Sequence, residues 1–237
     1  MDDEAKAARA ALERMPAVPG LEPRGAAISR LGGLTNLVFR VDGAHRSWCL
    51  RLPGKGTENY IDRAAERHNA AVAAEAAVAP GLVHFDAASG VMLTEFVHGT
   101  TMNGELFRDP GAVARAALAF RRLHTSGRTF SGRFDLFSKM DEYQELLDRM
   151  GAPAPDGYAA AKAAAEAVRP RLAGVAQAPC HCDPLAENFI DAGQRMWIVD
   201  WEYSGNNDPM WDLGDLSVEA GFAPEQDDAL LHAYFSG

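Results

Sequence analysis

The chain has 237 residues, of which 47% are hydrophobic and 24% charged, and its formal net charge is −10. This composition indicates one large globular domain or two smaller lobes, and the negative charge disfavours a nucleic acid as partner. No apolar run approaches the ~20 residues that span a bilayer, no segment resembles a signal peptide, and three cysteines argue against a disulfide framework. We therefore expect a cytoplasmic protein without membrane insertion.

The first part of the chain predicts a sheet with helices. Residues 3–15 carry apolar side chains at helical spacing and predict an amphipathic helix. Residues 26–52 predict a three-strand meander, because alternating apolar runs are separated by two turns. An alanine-rich helix is predicted over residues 59–78, with Thr57 or Asn59 as its N-cap. The stretches LVHFD and VMLTEFV predict a further strand pair.

The second part is mainly helical. Asp109 followed by Pro110 predicts a helix start, and residues 141–173 predict two more helices separated by GAPAPDG. The short apolar stretches NFI and MWIVD predict a hairpin around the turn DAGQR. The sequence thus predicts an α+β fold with a β-rich N-lobe, residues 1–98, and a mainly helical C-lobe, residues 99–237. The cleft between two lobes is a favoured ligand site.

The stretch CHCDPLAENFI, residues 180–190, allows two interpretations. Structural zinc usually needs two ligand pairs of the type C-x₂₋₄-C. Cys180 and Cys182 are separated by a single residue, and Cys49 stands alone on a predicted strand. The sequence therefore disfavours zinc and predicts that these cysteines are small buried fillers.

The other interpretation is phosphoryl transfer, which needs a carboxylate base and metal-binding oxygen ligands. Asp183 and Asn188 lie five positions apart, as an Asp base and an Asn metal ligand on one loop would. Asp200 ends the apolar run MWIVD, and a carboxylate at a strand end suits a hard cation. Each residue alone is weak evidence, but their order after a β-rich region favours a phosphoryl-transfer site.

Charge is unevenly distributed along the chain. Residues 1–100 hold 12 acidic and 11 basic side chains, whereas residues 196–237 hold nine acidic side chains and no Lys or Arg. A solvated acidic surface explains such a segment. A site for a divalent metal, a cationic substrate or both explains it equally, and the charge pattern alone does not decide between these hypotheses.

The pattern His181-x-Asp183-x₄-Asn188 followed by IVDWE resembles the choline kinase and aminoglycoside phosphotransferase superfamily. More narrowly, LGGLTNLVFRV, LRLPGKGTENYIDRAAE and DWEYSGNNDPMWDLGDL are similar to bacterial choline/ethanolamine kinases, over about Leu31 to Leu216. The resemblance implies a protein-kinase-like two-lobe fold whose N-lobe binds nucleotide, with ATP and Mg²⁺ as cofactors. Because relatives usually continue for several more helices, it also implies a C-lobe that is short at its C-terminus.

Carried over residue by residue, the resemblance makes Asp183 the catalytic base and makes Asn188 and Asp200 the Mg²⁺ ligands. Arg51 is implied to contact the ATP phosphates, and Glu66 to hold Arg51 by an ion pair. Without the family, a surface salt bridge would be the favoured explanation for that pair. His181 is implied to organise the loop. The remaining nucleotide contacts are implied in the GGLTN turn and the hinge: Gly32, Gly33, Thr35, Asn36, Glu95 and Val97.

The acidic C-terminal segment also contains aromatic residues, and aromatic faces with a carboxylate recognise quaternary ammonium groups. The predicted substrate residues are Asp183, Trp201, Glu202, Tyr203, Trp211 and Asp212. Alternatively, Trp201 and Trp211 are core residues, and Asp212 braces the catalytic loop. The predicted function is an ATP- and Mg²⁺-dependent phosphotransferase acting on a small cationic alcohol, choline or ethanolamine. A thiamine or aminoglycoside kinase, or a nucleotide-binding module without turnover, is the alternative.

Overall fold

The structure is a computed structural model that describes residues 3–33, 36–54, 56–57 and 60–236. Its N-terminal region is a five-stranded antiparallel sheet in the order β1-β2-β3-β5-β4. The strands are β1 (Ala27–Arg30), β2 (Leu37–Asp42), β3 (Ser47–Leu52), β4 (Leu82–Asp86) and β5 (Val91–Glu95). Helix α1 (Asp3–Arg14) packs beside β1. The predicted meander and the second strand pair are therefore confirmed.

Helix α2 spans Arg63–Glu75 and is shorter than predicted. Its N-cap is Asp62, whose carboxylate accepts hydrogen bonds from the backbone N–H groups of Ala64 and Ala65. The prediction that Thr57 caps this helix is wrong, because the Thr57 hydroxyl donates instead to the Gly54 carbonyl at 2.9 Å. The alternative cap, Asn59, lies outside the described residues.

The C-terminal region consists of helices around two small sheets. β6 (Thr100–Thr101), β8 (Phe189–Asp191) and β9 (Met196–Ile198) form one sheet, and β7 (Ala178–Cys180) pairs with β10 (Gly205–Asn207) in the other. The helices are α3 (Pro110–His124), α4 (Leu136–Met150), α5 (Tyr158–Val168), α6 (Pro209–Glu219) and α7 (Pro224–Ser236). Asp109 caps α3 as predicted, and the β8–β9 hairpin turns at Gly193 with φ +83°.

Two hydrophobic cores fix these elements. The first joins α1 to the large sheet and includes Leu12, Phe39, Trp48 and Leu50. The second is built mainly from α3, the β8–β9 hairpin and helices α6 and α7, and it also takes in Ala70 and Ala73 of α2. Helix α2 therefore packs in the C-terminal core, while Glu66 in its first turn contacts Arg51 of the large sheet. The helix thus connects the two regions.

Helices α4 and α5 form a hairpin that contributes little to either core. Among residues 136–168, all of which the structure describes, Phe137 is the one helical side chain that is buried. The two helices are tied by Tyr158, whose hydroxyl donates to the Met140 carbonyl at 3.1 Å, and by the Lys162–Asp141 ion pair at 2.7 Å. Within the described ranges, no helix of the chain is long and apolar enough to cross a bilayer.

Candidate active site

The loop between β7 and β8, residues 181–188, is held by hydrogen bonds to helix α6. The Asp212 carboxylate is fully buried and accepts hydrogen bonds from the backbone N–H of His181 at 2.7 Å and of Cys182 at 2.8 Å. Cys182 has φ +68°, a left-handed conformation that L-residues adopt rarely. The carboxylate thus satisfies two adjacent buried N–H groups in a strained turn, immediately before Asp183.

His181 supports the same loop, as predicted. Its Nε2 hydrogen-bonds the Val199 carbonyl at 2.9 Å, and its ring contacts Trp201 edge-on at 4.7 Å between centroids. Since the ring is fully buried, His181 acts as a packing and hydrogen-bonding strut rather than a group facing solvent.

Asp183 and Asn188 are brought together by the loop. The Asn188 side-chain amide donates to the Asp183 carbonyl at 3.0 Å, and the Asn188 carbonyl accepts from Val199 N–H at 2.9 Å. This arrangement uses the amide nitrogen, and the amide oxygen is the atom that a hard cation would take. Burial raises the pKa of Asp183; the neighbouring His181 opposes this, and the charges of Asp200 and Glu219 add to it.

Asp200 follows β9 with φ +67° and meets the N-terminal region. Its Oδ1 lies 2.9 Å from Arg51 Nη1, and its Oδ2 accepts a long bond of 3.4 Å from Asn36 Nδ2. The predicted metal ligand and the predicted phosphate-binding arginine are therefore neighbours, although they are 149 positions apart.

Arg51 belongs to a buried cluster of charges. It forms an ion pair with Glu66, as predicted, and both side chains are almost completely buried, at 4% and 0% exposure. Glu66 and Glu202 both contact Arg63, which the sequence did not single out. A surface salt bridge, the alternative for the Arg51–Glu66 pair, is excluded by this burial.

The cluster has the chemistry of a site for a polyanion and a cation. Glu66, Asp200 and Glu202 each offer a carboxylate oxygen within 4.8 Å of the other two. The buried Arg51 Nε has no hydrogen-bond partner within the described part of the chain. Buried donors are normally paired, so a ligand with anionic oxygens fits beside Arg51, and carboxylates of this kind are typical ligands of Mg²⁺.

Glu202 was predicted to contact the substrate, but its side chain is 5% exposed and lies between Arg63 and Arg51. Burial raises its pKa, the nearby Asp200 charge adds to this, and Arg51 and Arg63 oppose it. In this structure Glu202 is therefore part of the charge cluster beside Asp200, on the side where the nucleotide phosphates and metal were predicted.

The predicted phosphate turn lies against this cluster at Asn36. Gly33 has φ +123°, and a Cβ there would lie 2.4 Å from the Asn36 carbonyl oxygen, so this position requires glycine. Asn36 is 3% exposed, and its Oδ1 accepts from Gly54 N–H at 3.1 Å. Gly32 has open space around it, and Thr35 lies outside the described residues.

The predicted adenine hinge follows the end of β5. The Glu95 side chain points outward to Arg46, with 3.4 Å between Nη2 and Oε1. The Phe96 N–H donates to the Ser47 carbonyl at 3.2 Å, and Val97 is half-buried. The carboxylate of Glu95 therefore has a surface role, and only the backbone of this segment remains a predicted nucleotide contact.

Two of the predicted substrate residues are in the interior. Trp201 is 3% exposed and contacts His181 and Phe130, and Asp212 is fully buried beneath the loop. Of the alternatives left open by the sequence, core packing for Trp201 and loop bracing for Asp212 are the ones that the geometry supports. Neither side chain has a face available for an alcohol.

Tyr203 and Trp211 are less buried. Burial raises the pKa of Tyr203, and the nearby phenols of Tyr143 and Tyr60 act in the same direction. Tyr143 and Tyr60, from two other parts of the chain, therefore each lie close enough to Tyr203 to affect its pKa. Trp211 packs against Phe134 at 5.3 Å and donates a long bond to the Cys182 carbonyl at 3.4 Å.

The cysteines behave as packing residues. The Cys180 and Cys182 thiols contact backbone carbonyls, those of Asn207 at 3.5 Å and of Cys180 at 3.6 Å. Neither group of candidate metal ligands in the described ranges contains two cysteines. Both side chains are buried, at 0% and 4% exposure, as predicted for small fillers.

Sequence reasoning missed a second polar chain beneath the loop. His124 Nε2 hydrogen-bonds Asp212 Oδ2 at 3.0 Å, and His124 Nδ1 pairs with the Tyr234 hydroxyl at 2.9 Å. It gave no individual role to Asp215, one of the acidic residues of the C-terminal segment, whose pKa is raised to about 7 by burial and then by the charges of Glu219, Asp183 and Asp212. His124 and Asp212 are 88 positions apart, so no local pattern relates them. By contrast, the i, i+3 spacing of Arg63 and Glu66 is visible in the sequence, and this spacing indicates two side chains that are neighbours on a helix.

Known proteins share this architecture. A crystal structure of a choline/ethanolamine kinase family protein from Mesorhizobium loti is 50% identical, with a TM-score of 0.86 over 99% of this chain and 76% of that chain. Choline kinase LicA from Streptococcus pneumoniae is 28% identical, with a TM-score of 0.75 over 88% of this chain and 74% of that chain. A LicA structure in complex with AMP is 29% identical, with a TM-score of 0.74 over 88% of this chain and 72% of that chain.

Protein LicA of Haemophilus influenzae is 29% identical over 212 residues, which are 87% of this chain and 62% of that protein. The chain thus spans less than two thirds of the length of this relative. The model of the phosphotransferase enzyme family matches residues 27–237. The resemblance to choline/ethanolamine kinases and the α+β kinase-like fold predicted from the sequence are confirmed, and this chain belongs to the phosphotransferase enzyme family.

Proposed function

We propose that this protein is a kinase that transfers the γ-phosphoryl group of ATP, with Mg²⁺, to the hydroxyl of a small cationic alcohol, choline or ethanolamine. The observation that carries the proposal is the contact of Asp200 with the buried Arg51, together with the hydrogen bond that joins Asn188 to Asp183 on the preceding loop. Relatives named as choline kinases and the AMP complex of LicA support it.

On the phosphate side, Arg51 supplies the cation. Its guanidinium is fixed by Glu66, and among the described residues its Nε has no hydrogen-bond partner. A buried arginine held in this way contacts phosphate oxygens without first losing side-chain freedom. Asn36 lies at the same place, 3.4 Å from Asp200, and the nearby Gly33 would allow backbone N–H groups to approach the phosphates.

Asp183 would accept the proton of the attacking hydroxyl. It directly follows His181 and Cys182, whose backbone N–H groups are held by Asp212. Asn188, Asp200 and Glu202 would hold Mg²⁺, and Glu202 is added here because of its position beside Asp200. The bound ion supplies neutralisation of charge on the phosphate oxygens. Asp183 and Asn188 keep a fixed distance through their hydrogen bond of 3.0 Å.

On the alcohol side, the charges favour a cation. Asp183 and Glu219 lie close enough to Asp215 for each to disfavour its ionisation, and a positive ligand relieves that repulsion. Tyr203 with its neighbours Tyr60 and Tyr143 offers aromatic faces, and each face contributes about 0.5–2 kcal/mol to binding of an ammonium group. We also propose that residues 1–98 and 99–237 form two lobes, with the alcohol bound on the C-terminal side.

The test is ADP release in a coupled assay with choline, ethanolamine, thiamine and kanamycin as acceptors. We expect stimulation by choline or ethanolamine, and Asp183→Asn is expected to reduce kcat by about 10²–10⁴-fold while ATP binding is retained. Stimulation only by thiamine or kanamycin would transfer the assignment to those alternatives. ATP binding without turnover for any acceptor would identify a nucleotide-binding module.

A further inference from the structure

Arg63, in the first turn of α2, contacts three separate segments of the chain. Its side chain is 9% exposed. Nη1 donates to Glu66 Oε2 at 2.7 Å and to Glu202 Oε2 at 3.1 Å, and Nη2 donates to Thr57 Oγ1 at 2.6 Å. One guanidinium therefore joins helix α2, the loop after β3 and the loop after β9.

The contact to Thr57 continues towards the glycine-containing turn. The Thr57 hydroxyl donates to the Gly54 carbonyl at 2.9 Å, and the Gly54 N–H donates to Asn36 Oδ1 at 3.1 Å. Asn36 Nδ2 then approaches Asp200 Oδ2 at 3.4 Å. Hydrogen bonds thus connect Arg63 to Asn36 through Thr57 and Gly54. Asn36 in turn contacts Asp200, on the C-terminal side of the site.

The two buried arginines divide the available carboxylate oxygens. Arg51 contacts Glu66 through Oε1, whereas Arg63 contacts it through Oε2. Glu202 Oε2 is 3.1 Å from Arg63 Nη1 but 4.0 Å from Arg51 Nη1. A buried carboxylate without a partner is strongly unfavourable, so removal of Arg63 would draw Arg51 towards Glu202 and away from its position 2.9 Å from Asp200.

We propose that Arg63 is a positioning residue for the nucleotide: by binding Thr57, Glu66 and Glu202 it keeps Arg51 directed to the phosphates and aligns the glycine-containing turn. The inference rests on the proposed kinase function. Lysine cannot replace it, because a single ammonium does not reach acceptors at both ends of a guanidinium fork.

The experiment compares Arg63→Met, Arg63→Lys and Thr57→Val with wild type. The control is Arg128→Met, which removes an ion pair to Glu75 at the opposite end of α2. Calorimetry gives the Kd for ATP, steady-state assays give kcat and KM, and thermal unfolding gives Tm. We expect both Arg63 variants to raise the Kd and KM for ATP by about 10–100-fold, with a smaller change in kcat.

Thr57→Val is expected to change the ATP Kd in the same direction by a smaller factor, and Arg128→Met to leave it unchanged. If Arg63→Met does not fold, Arg63→Lys, which retains the charge, provides the comparison. An ATP Kd equal to that of wild type in Arg63→Lys and Thr57→Val would overturn the inference. A wild type that binds ATP but phosphorylates no alcohol would overturn the proposed function alone, since the comparison of Kd values still applies; a wild type that binds neither ATP nor ADP would overturn both.

Discussion

Replacing Asp212 by Asn tests the anchoring of the catalytic loop without reference to any substrate. The carboxylate accepts three hydrogen bonds, from His181 N–H, Cys182 N–H and His124 Nε2, at 2.7 to 3.0 Å. Asn has nearly the same shape but replaces one acceptor oxygen by an NH₂ donor. In the better of its two orientations, that donor faces the Cys182 N–H, and a buried backbone donor loses its partner.

The magnitude follows from these contacts. An unpaired buried donor costs about 1–3 kcal/mol, and hydrogen bonds to an uncharged acceptor are about half as strong as those to a carboxylate. Relief of the buried negative charge offsets part of the loss, which leaves a destabilisation of about 2–4 kcal/mol. For a chain of this length, that corresponds to a decrease in Tm of about 4–16 °C.

Thermal unfolding followed by circular dichroism, at one fixed scan rate for all proteins, measures this change. The matched control is Asp215→Asn on the same helix, because Asp215 has a raised pKa and gains little from its charge. The control is expected to keep or increase the Tm at pH 8. A Tm of Asp212→Asn within 2 °C of wild type, a margin of about half the smallest expected decrease, would refute the proposed anchoring.

Three further predictions follow from the titratable groups. The proposed base Asp183 must be ionised to accept a proton, and its pKa is raised above 3.8, the ordinary value for Asp. The decrease of kcat/KM at low pH is therefore expected to have its midpoint above pH 3.8. A midpoint at or below that pH would contradict this role. Asp215 stabilises the fold below about pH 4, and that contribution is lost as pH rises to about 7. The Tm difference between Asp215→Asn and wild type should therefore grow in favour of the variant over this range, and a pH-independent difference would contradict the raised pKa. Burial raises the pKa of the Cys49, Cys180 and Cys182 thiols, so a thiol reagent should label them fully only after denaturation. Rapid labelling of the native protein would show that these side chains are accessible.

The sequence predicted the elements that depend on local contacts. The Asp109–Pro110 helix start and the β8–β9 turn were predictable because their hydrogen bonds join residues close in sequence. The cap of α2 was not, because several polar residues precede that helix and only the folded loop shows that Asp62 is the one that caps it. Arg63 and Glu202 are 139 positions apart, so no periodicity relates them.

The predicted site residues divide in the same way. Asp183, Asn188 and Asp200 follow from a motif in which spacing and order carry the chemistry. Whether Trp201 and Asp212 are exposed or buried depends on how distant segments pack around the loop, and a single sequence contains no measure of that packing.

The weakly buried α4–α5 hairpin has a consequence for the range of acceptors. Since Phe137 is its one buried side chain among residues 136–168, moving the hairpin exposes little apolar surface, and its opening requires much less free energy than global unfolding. Its amides are therefore expected to exchange with solvent faster than those of α3, whose inner face is fully buried. Tyr143 lies on this hairpin near Tyr203, so one wall of the proposed alcohol site is on a weakly anchored part of the chain. We therefore expect a bulkier ammonium group to be accommodated by displacement of these two helices, while the loop that carries Asp183 stays in place.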